Sequence, residues 1–374
     1  MKFLHLADLH LGKRLNDFSF LEDQVRLLCQ VEEIARSERA DAVLIAGDVY
    51  QKASPQSEAM AAFDQFITRL KEMGLWVFVI SGNHDSAQRI SYFSSLLKNS
   101  GVYVSEAFDG HLQQVTLQDE HGELVVSLLP FLKPIQVRRF YPDEKIETYQ
   151  DAVQAVLRHS PVDTAKRNVL VCHQFITGAE ISDSEEKTVG GLDNIDAAVF
   201  ADFDYVALGH IHKPQKCTRD TLRYAGSLMK YSFSEVNQKK SVTVVEMEEK
   251  GEISIRTVPL APPHDMRLVE GLMDDVLAMP YSEDYVWVTL RDELPPPDAR
   301  VTVSTVFPNM MKFSVVNSKT KTDIDVLARE AMENKSPEEL FSDFYRLQNN
   351  DCPPGPRHME ILRSLRKELE GEIR

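Results

Sequence analysis

Five short apolar runs in this chain each end on polar, metal-ligating side chains, and that pattern sharply narrows the folds open to it. Phe3 to Ala7 runs into Asp8 and His10, and Ala42 to Ala46 into Gly47 and Asp48. Leu75 to Ser81 is followed by Gly82, Asn83 and His84, Asn168 to Cys172 by His173, and Tyr205 to Leu208 by Gly209, His210 and His212. Runs of this length bounded by turn residues read as buried strands. Amphipathic helical stretches, Phe20 to Glu38 and Gln56 to Met73, separate the first three, with Ser54 and Pro55 as cap and first-turn residue of the second. The alternation predicts a layered α/β domain with open sheets, which build their sites at the carboxyl ends of strands. The five polar sets are therefore expected to fall together in one cluster.

A chain of 374 residues exceeds the roughly 250 to 300 that one core supports, so two domains are expected. Alternating strands from Val242 to Val258, around a turn at Lys250 and Gly251, close the first, and Ala261, Pro262 and Pro263 form a linker. The first domain is placed at residues 1–260. A helical segment near Met266 to Ala278 and strands at Tyr285 to Leu290, Val301 to Ser304 and Met311 to Val316 predict a small α+β cap over 264–318. Residues 319–374 read as C-terminal helices. Ser336, Pro337 and Glu339 form a capping-box start for one carrying Leu340, Phe341, Phe344 and Tyr345, with a break at Asn349 to Pro356. The last helix spaces Ile361, Leu365, Leu369 and Ile373 four apart, with Leu362 beside them and charged flanks. Such a stripe suits docking in a partner's groove, and equally suits packing on its own domain.

Composition limits what such a chain can do. At 43% hydrophobic and 27% charged residues it has the makeup of a globular protein. No stretch nears the ~18 uninterrupted apolar residues of a membrane helix, and the first residues lack a signal peptide's basic flank. A cytoplasmic, nucleoid-associated location without membrane contact is expected. Cys29, Cys172, Cys217 and Cys352 form no C-x-x-C pair and read as reduced thiols. The net charge of -16 opposes nucleic-acid binding, which rests on Lys and Arg, so any DNA contact must be local, metal-assisted or shared with a partner. Lys13 with Arg14, Lys133 with Arg138 and Arg139, and Lys213 with Lys216, Arg219 and Arg223 are candidate patches, solvated surface charge being the plainer reading of each. No G-x-x-x-x-G-K-[ST] loop is present, so ATP hydrolysis would have to come from a partner.

Asp8, His10, Asp48, Asn83, His173, His210 and His212 are the candidate metal ligands. One such histidine alone would more often be an ordinary hydrogen-bonded or surface imidazole. Coincidence at five strand ends, with glycines where backbone must pass a bulky cluster, is a far poorer explanation. His5, His111, His121, His159, His264 and His358 keep a structural reading. Mixed imidazole and carboxylate suits Mn, Fe or Zn, and the set exceeds what one four-coordinate zinc uses, which implies two cations. A pair about 3.5 to 4 Å apart can clamp the attacking and leaving oxygens of an in-line phosphoryl displacement. Asp48 is the candidate bridging carboxylate. Asn83 adds only a neutral oxygen, leaving the site net positive and attractive to a phosphodiester.

The ordered series D-x-H, G-D, G-N-H-D, C-H and G-H-x-H, over roughly residues 1 to 260, resembles the calcineurin-like metallophosphoesterase superfamily. The start M-K-F-L-H-L-A-D-L-H-L-G and the run Tyr224 to Glu235, Y-A-G-S-L-M-K-Y-S-F-S-E, are similar to its DNA-nuclease branch. The resemblance implies a sandwich of two sheets flanked by helices. It assigns Asp8, His10, Asp48 and His212 to one cation and Asp48, Asn83, His173 and His210 to the other, with manganese the usual activator. His84 matches the family's non-ligand catalytic histidine, which steadies the scissile phosphate or protonates the leaving oxygen, and Asp85 is a candidate to orient it. Also implied is direct attack of activated water on DNA, as double-strand exonuclease and as hairpin or single-strand endonuclease, in repair, recombination and replication. The implied assembly is a homodimer through helices of the nuclease domain, joined at its C-terminal region to an ABC-type ATPase with a long coiled coil. Archaeal and eukaryotic relatives carry a second histidine after G-D; Tyr50, Gln51 and Lys52 stand here, so that role is not transferred. The rival readings are another phosphoesterase of the superfamily, acting on nucleotides or small phosphodiesters, and a catalytically silent scaffold protein.

Overall fold

The computed structural model describes residues 1–185, 194–317, 337–348 and 353–371. The five apolar runs are strands β1 (Lys2–Leu6), β2 (Ala42–Ala46), β3 (Trp76–Ile80), β4 (Arg167–His173) and β5 (Tyr205–Gly209). Apart from Lys2 and Trp76, every residue in them is buried, so these strands show no alternation with polar residues.

One six-stranded sheet runs in the order Ile253–Pro259, Ser241–Met247, β1, β2, β3, Val102–Val104, parallel from β1 onward. The other runs Gln215–Lys216, Leu222–Tyr224, β5, β4, Gly122–Leu129, Gln113–Asp119. Their inner faces meet: Phe3, Leu44, Phe78 and Ile80 share a core with Val126, Val169, Val171 and Tyr205. On the outer faces the strand parity reverses. Leu4, Leu6, Val43 and Ile45 pack with α1 (Leu21–Glu38) and α2 (Ser57–Glu72) through Leu27, Val31, Phe66 and Leu70. Leu170, Cys172, Val206 and Leu208 lie against the helix Tyr149–His159. The result is the expected two-sheet sandwich flanked by helices. α2 begins at Ser57 after an extended Gln56 without a side-chain cap, while the Ser54 hydroxyl accepts from Arg89, so the expected cap at Ser54 is corrected.

Beyond the hairpin lies a three-stranded sheet of Met266–Gly271, Tyr285–Leu290 and Met310–Val315, parallel throughout. Parallel neighbours need crossover connections, which the short helices Met273–Leu277 and Ala299–Val303 supply. Two expectations are corrected by this topology. Met266 to Gly271 is strand, not helix, and Val301 to Ser304 belongs to a helical segment. Val301, Thr302 and Val303 favour extended chain locally, but Ala299, Val303 and Phe307 recur four apart under the sheet and impose a helical period. The unit is seated beside α1: Met266, Tyr285 and Met311 join its core, Phe20 meets Tyr285 edge-on at 5.0 Å, and His264 pairs with Asp23 at 2.9 Å.

The C-terminal helices are Pro337–Gln348 and Pro356–Gly371. Ser336, residues 349–352 of the expected break, the side chains of Leu365 and Leu369, and Ile373 lie outside the described residues. Cys29, Cys172 and Cys217 are free thiols. Among the described residues no helix is long and apolar enough to cross a membrane.

Candidate metal centre

Strands β1 and β2 continue to pair past their ends, with Asp8 N–H donating to Gly47 O at 3.1 Å and His10 N–H to Asp48 O at 2.9 Å. There the backbone leaves regular geometry. Asp8, His10, Asp48 and His210 have φ of 53°, 44°, 50° and 102°, in the region that disfavours non-glycine residues. Strain of this kind costs of order 1 kcal/mol per residue and survives only where the surroundings over-determine it. Here it turns four of the seven candidate ligands toward one point. Gly82 is required by close approach, since a Cβ there would collide with the Asp48 carboxylate.

Three groups of ligand atoms result: Asp8, His10 and His212 each bring one atom within 4.8 Å of the others, as do Asp8, Asp48 and His173, and His10, Asp48 and His84. His10 Nε2 lies 3.1 Å from His212 Nε2. Asn83 Oδ1 lies 3.0 Å from both His173 Nε2 and His210 Nδ1. Asp48 Oδ2 reaches both sides of the cluster, 3.6 Å from His10 Nε2 and 3.3 Å from His173 Nε2. The structure thus brings all seven expected ligands together.

The centre is almost wholly buried, with Asp8 at 0% and Asp48 at 2% exposure. Burial pushes Asp8 up to about 6 against the pull of His173 and His212. Burial also drives His10 far below its usual range and His210 down to about 3, with His173 adding to the latter. At His173 burial is overcome by the Asp48 charge and the value rises to about 9; at Asp48 it is overcome by His173, which holds that carboxyl well below the usual range. His10 and His210 thus resist protonation, while the Asp48 charge is met by the His173 imidazole. His10 Nδ1 is also buried without a hydrogen-bond partner among the described residues. Divalent cations fit this donor set.

His84 sits at the rim, half-buried, its N–H donating to Asp48 Oδ1 at 2.9 Å and its ring edge-on to His10 at 4.9 Å. Its Nδ1 faces Gln51 O at 3.2 Å. Asp85, the candidate to orient His84, directs its carboxylate to the N–H groups of Gly82, Tyr50 and Val49 at 2.9, 3.0 and 3.1 Å, clamping the turns after β2 and β3. Burial, with the Asp48 charge, pushes Asp85 up to about 7 against those amides.

Of the basic patches, Lys213 and Lys216 pair with Glu180 and Asp220, and Arg219 donates to Phe200 O and Phe203 O. Lys13 stands nearest the centre, 3.2 Å from Gln51 Oε1 and over the Tyr231 ring. Lys133 lines a cleft of about 260 Å³ with Asn83, Asp85 and Phe131. Three residues that shape the centre were not expected: Gln51, Phe131, whose ring stacks on His210 at 6.4 Å, and Tyr231, which donates to Leu9 O at 2.5 Å. Tyr231 left a trace inside the Y-A-G-S-L-M-K-Y-S-F-S-E run and Gln51 just after G-D; Phe131 left none.

Residues 1–214 match the family model of the calcineurin-like phosphoesterases, which is the class that the sandwich and its carboxylate–imidazole cluster define. Residues 262–349 match a second model, described as the type 5 capsule protein repressor C-terminal domain. SbcD of Staphylococcus epidermidis, a component of the nuclease SbcCD, is 33% identical over 324 residues, 84% of this chain and 86% of the relative. SbcD of Staphylococcus saprophyticus is 33% identical over 319 residues, 83% and 84% of the two chains. The chain belongs to the SbcD family. Among solved structures, a dimetal phosphatase from Danio rerio superposes with a TM-score of 0.42 at 11% identity, over 69% of this chain and 95% of that one, a likeness too distant to bear on function.

Proposed function

We propose that this chain is the manganese-dependent DNA nuclease component of an SbcCD-type complex, hydrolysing phosphodiesters with two divalent cations. The observation that carries the reading is Asp48 Oδ2, which reaches His10 of an Asp8–His10–His212 group and His173 of an Asn83–His173–His210 group. Asp8, His10, Asp48 and His212 would hold one cation, and Asp48, Asn83, His173 and His210 the other. When bound, the cations activate water and neutralise charge on the phosphoryl oxygens. His84, at the rim, binds the scissile phosphate or donates a proton to the leaving oxygen. Lys13 offers a cation to a flanking phosphate. No side chain forms a covalent bond to substrate.

Double-strand exonuclease action, cleavage of hairpins and single strands, and service in repair, recombination and replication belong to the same reading, supported by the relatives' name. So does a cytoplasmic partnership with an SbcC-type ABC ATPase through the C-terminal helices, where Phe344 and Ile361 are exposed. A homodimer is supported by the large apolar side chains of Met60, Tyr92, Phe93 and Leu96, each more than half exposed on the helical side of the first sheet. The deciding experiment is cleavage of end-labelled duplex and hairpin DNA with Mn, for wild type and His84→Gln, with and without the ATPase. Wild type is expected to cut, while the variant retains Mn and DNA but does not. Hydrolysis of a small phosphodiester without DNA cleavage, even with the partner present, would overturn the reading in favour of another phosphoesterase.

A further inference from the structure

The segment Tyr224 to Glu235 wraps the turn that carries His212, and the ligand set gives its polar side chains no task. Gly226 adopts φ 75°, and a Cβ there would lie 2.6 Å from His212 O. That carbonyl accepts from Ser227 N–H at 3.1 Å and from Lys240 Nζ at 2.8 Å. Lys240 also donates to Ser227 Oγ at 2.9 Å and Glu235 Oε2 at 2.5 Å. His212 N–H donates to Glu185 Oε1 at 2.8 Å. On the ring side His212 Nδ1 lies 2.8 Å from Ser184 Oγ, and the Ser184 hydroxyl donates to Glu235 Oε1, itself 3.5 Å from Nδ1. Glu235 is 0% exposed and Lys240 5%.

Ser184 Oγ also lies 2.7 Å from Ser182 Oγ, which has its own carboxylate acceptor in Glu185 Oε2 at 2.6 Å. A hydroxyl has one hydrogen, and each serine gives it to the carboxylate beside it, which can only accept. The Ser184 oxygen therefore offers His212 a lone pair, so Nδ1 carries the imidazole proton and Nε2 is left bare, facing His10. A buried ion pair is a weak device for stability alone. Carboxylates that hold the far nitrogen of a metal-binding imidazole, by contrast, orient the ring and raise its basicity. We infer that Glu235, anchored by Lys240 and acting through Ser184, is a positioning residue that sets the tautomer and aim of His212 toward a cation. The inference rests on the two-cation reading above.

The test is calorimetric titration of Mn into the metal-stripped full chain, together with imidazole 15N spectra of the metal-free protein. Wild type is compared with Ser184→Ala, Ser184→Thr and the double change Glu235→Gln with Lys240→Met, which strands no buried charge. Wild type is expected to bind two ions and to show His212 protonated at Nδ1. Ser184→Ala and the double variant should lose about 10- to 100-fold in affinity at one site only and mix the tautomers, while Ser184→Thr restores both readouts. If wild type binds two ions and folded Ser184→Ala binds them equally, with Nδ1 still protonated, the positioning role is overturned and the two-cation reading stands. If wild type binds no Mn, the two-cation reading falls and the inference with it. Should the double variant not fold, the Ser184 pair decides.

Discussion

His10 Nε2 and His212 Nε2 stand 3.1 Å apart although 202 residues separate them in the chain. One projects from beyond β1 of the first sheet and the other from beyond β5 of the second, so the two sheets meet at a nitrogen–nitrogen contact. Burial keeps His10 from taking a second proton, and in the proposed centre a cation held by both nitrogens would resolve the contact. Chelator-stripped protein is therefore expected to melt at a lower temperature than protein with Mn. At an ion concentration 100 times Kd, each site adds about 2.7 kcal/mol. Scanning calorimetry with and without Mn checks this, and an unchanged melt would speak against any resident ion.

Asp48 touches both groups, so its loss should differ in kind from the loss of a peripheral ligand. Asp48→Asn is expected to release both ions and lower phosphodiester cleavage by more than the 10- to 100-fold typical of an outer partner. His210→Ala should release one. Elemental analysis of the purified variants gives the stoichiometry, and equal metal content in the two would contradict a bridging Asp48.

His5 links the sheets away from the ligands: Tyr205 O–H donates to its Nδ1 at 2.9 Å and its Nε2–H to Leu208 O at 3.1 Å. Burial, aided by Arg223, draws its pKa down to about 3. The unfolded chain takes up this proton near pH 6.5 and the folded chain does not, so stability falls as pH drops below about 6.5. The loss approaches about 1.4 kcal/mol per pH unit for this one group. His5→Gln should remove about 0.6 proton on average from the acid dependence between pH 7 and 5.5, read from urea unfolding of metal-free protein at those two values. An unchanged slope would mean that His5 titrates normally in the fold.

Arg167 begins the strand that His173 ends. Its guanidinium is 2% exposed, pairs with Asp119 at 3.1 Å and donates to Gly122 O at 2.7 Å and Glu248 O at 2.9 Å. Asp119→Ala would leave a buried cation uncompensated and should destabilise by about 3–5 kcal/mol. The centre lies about 20 Å along β4, so Mn stoichiometry below the melting temperature should not change. Loss of both together would show that the two ends are coupled.

The strand ends were legible because strands buried on both faces leave continuous apolar runs, and the candidate ligands follow directly. Asp48 as the candidate bridge was legible too, from its charge, but its distances to His10 and His173 were not, because they depend on which strand ends approach once two sheets pack. The cap misled for a related reason: at Val301 to Val303 local preference pointed to strand, and only the parallel pairing of Tyr285–Leu290 with Met310–Val315 demands a helix between them. The proton count at His212 was invisible for want of any local pattern. Ser184 and Glu235 lie 51 residues apart, and nothing in the spacing of either announces the other.

The ligands are spread from Asp8 to His212, and this spread has a temporal meaning. A ribosome adding about 5–20 residues per second needs on the order of ten to forty seconds to pass from the first to the last. Throughout that interval the growing chain holds only part of the proposed centre, and Glu235 and Lys240 emerge later still. Completion of the sandwich is thus the event that would arm a two-cation centre.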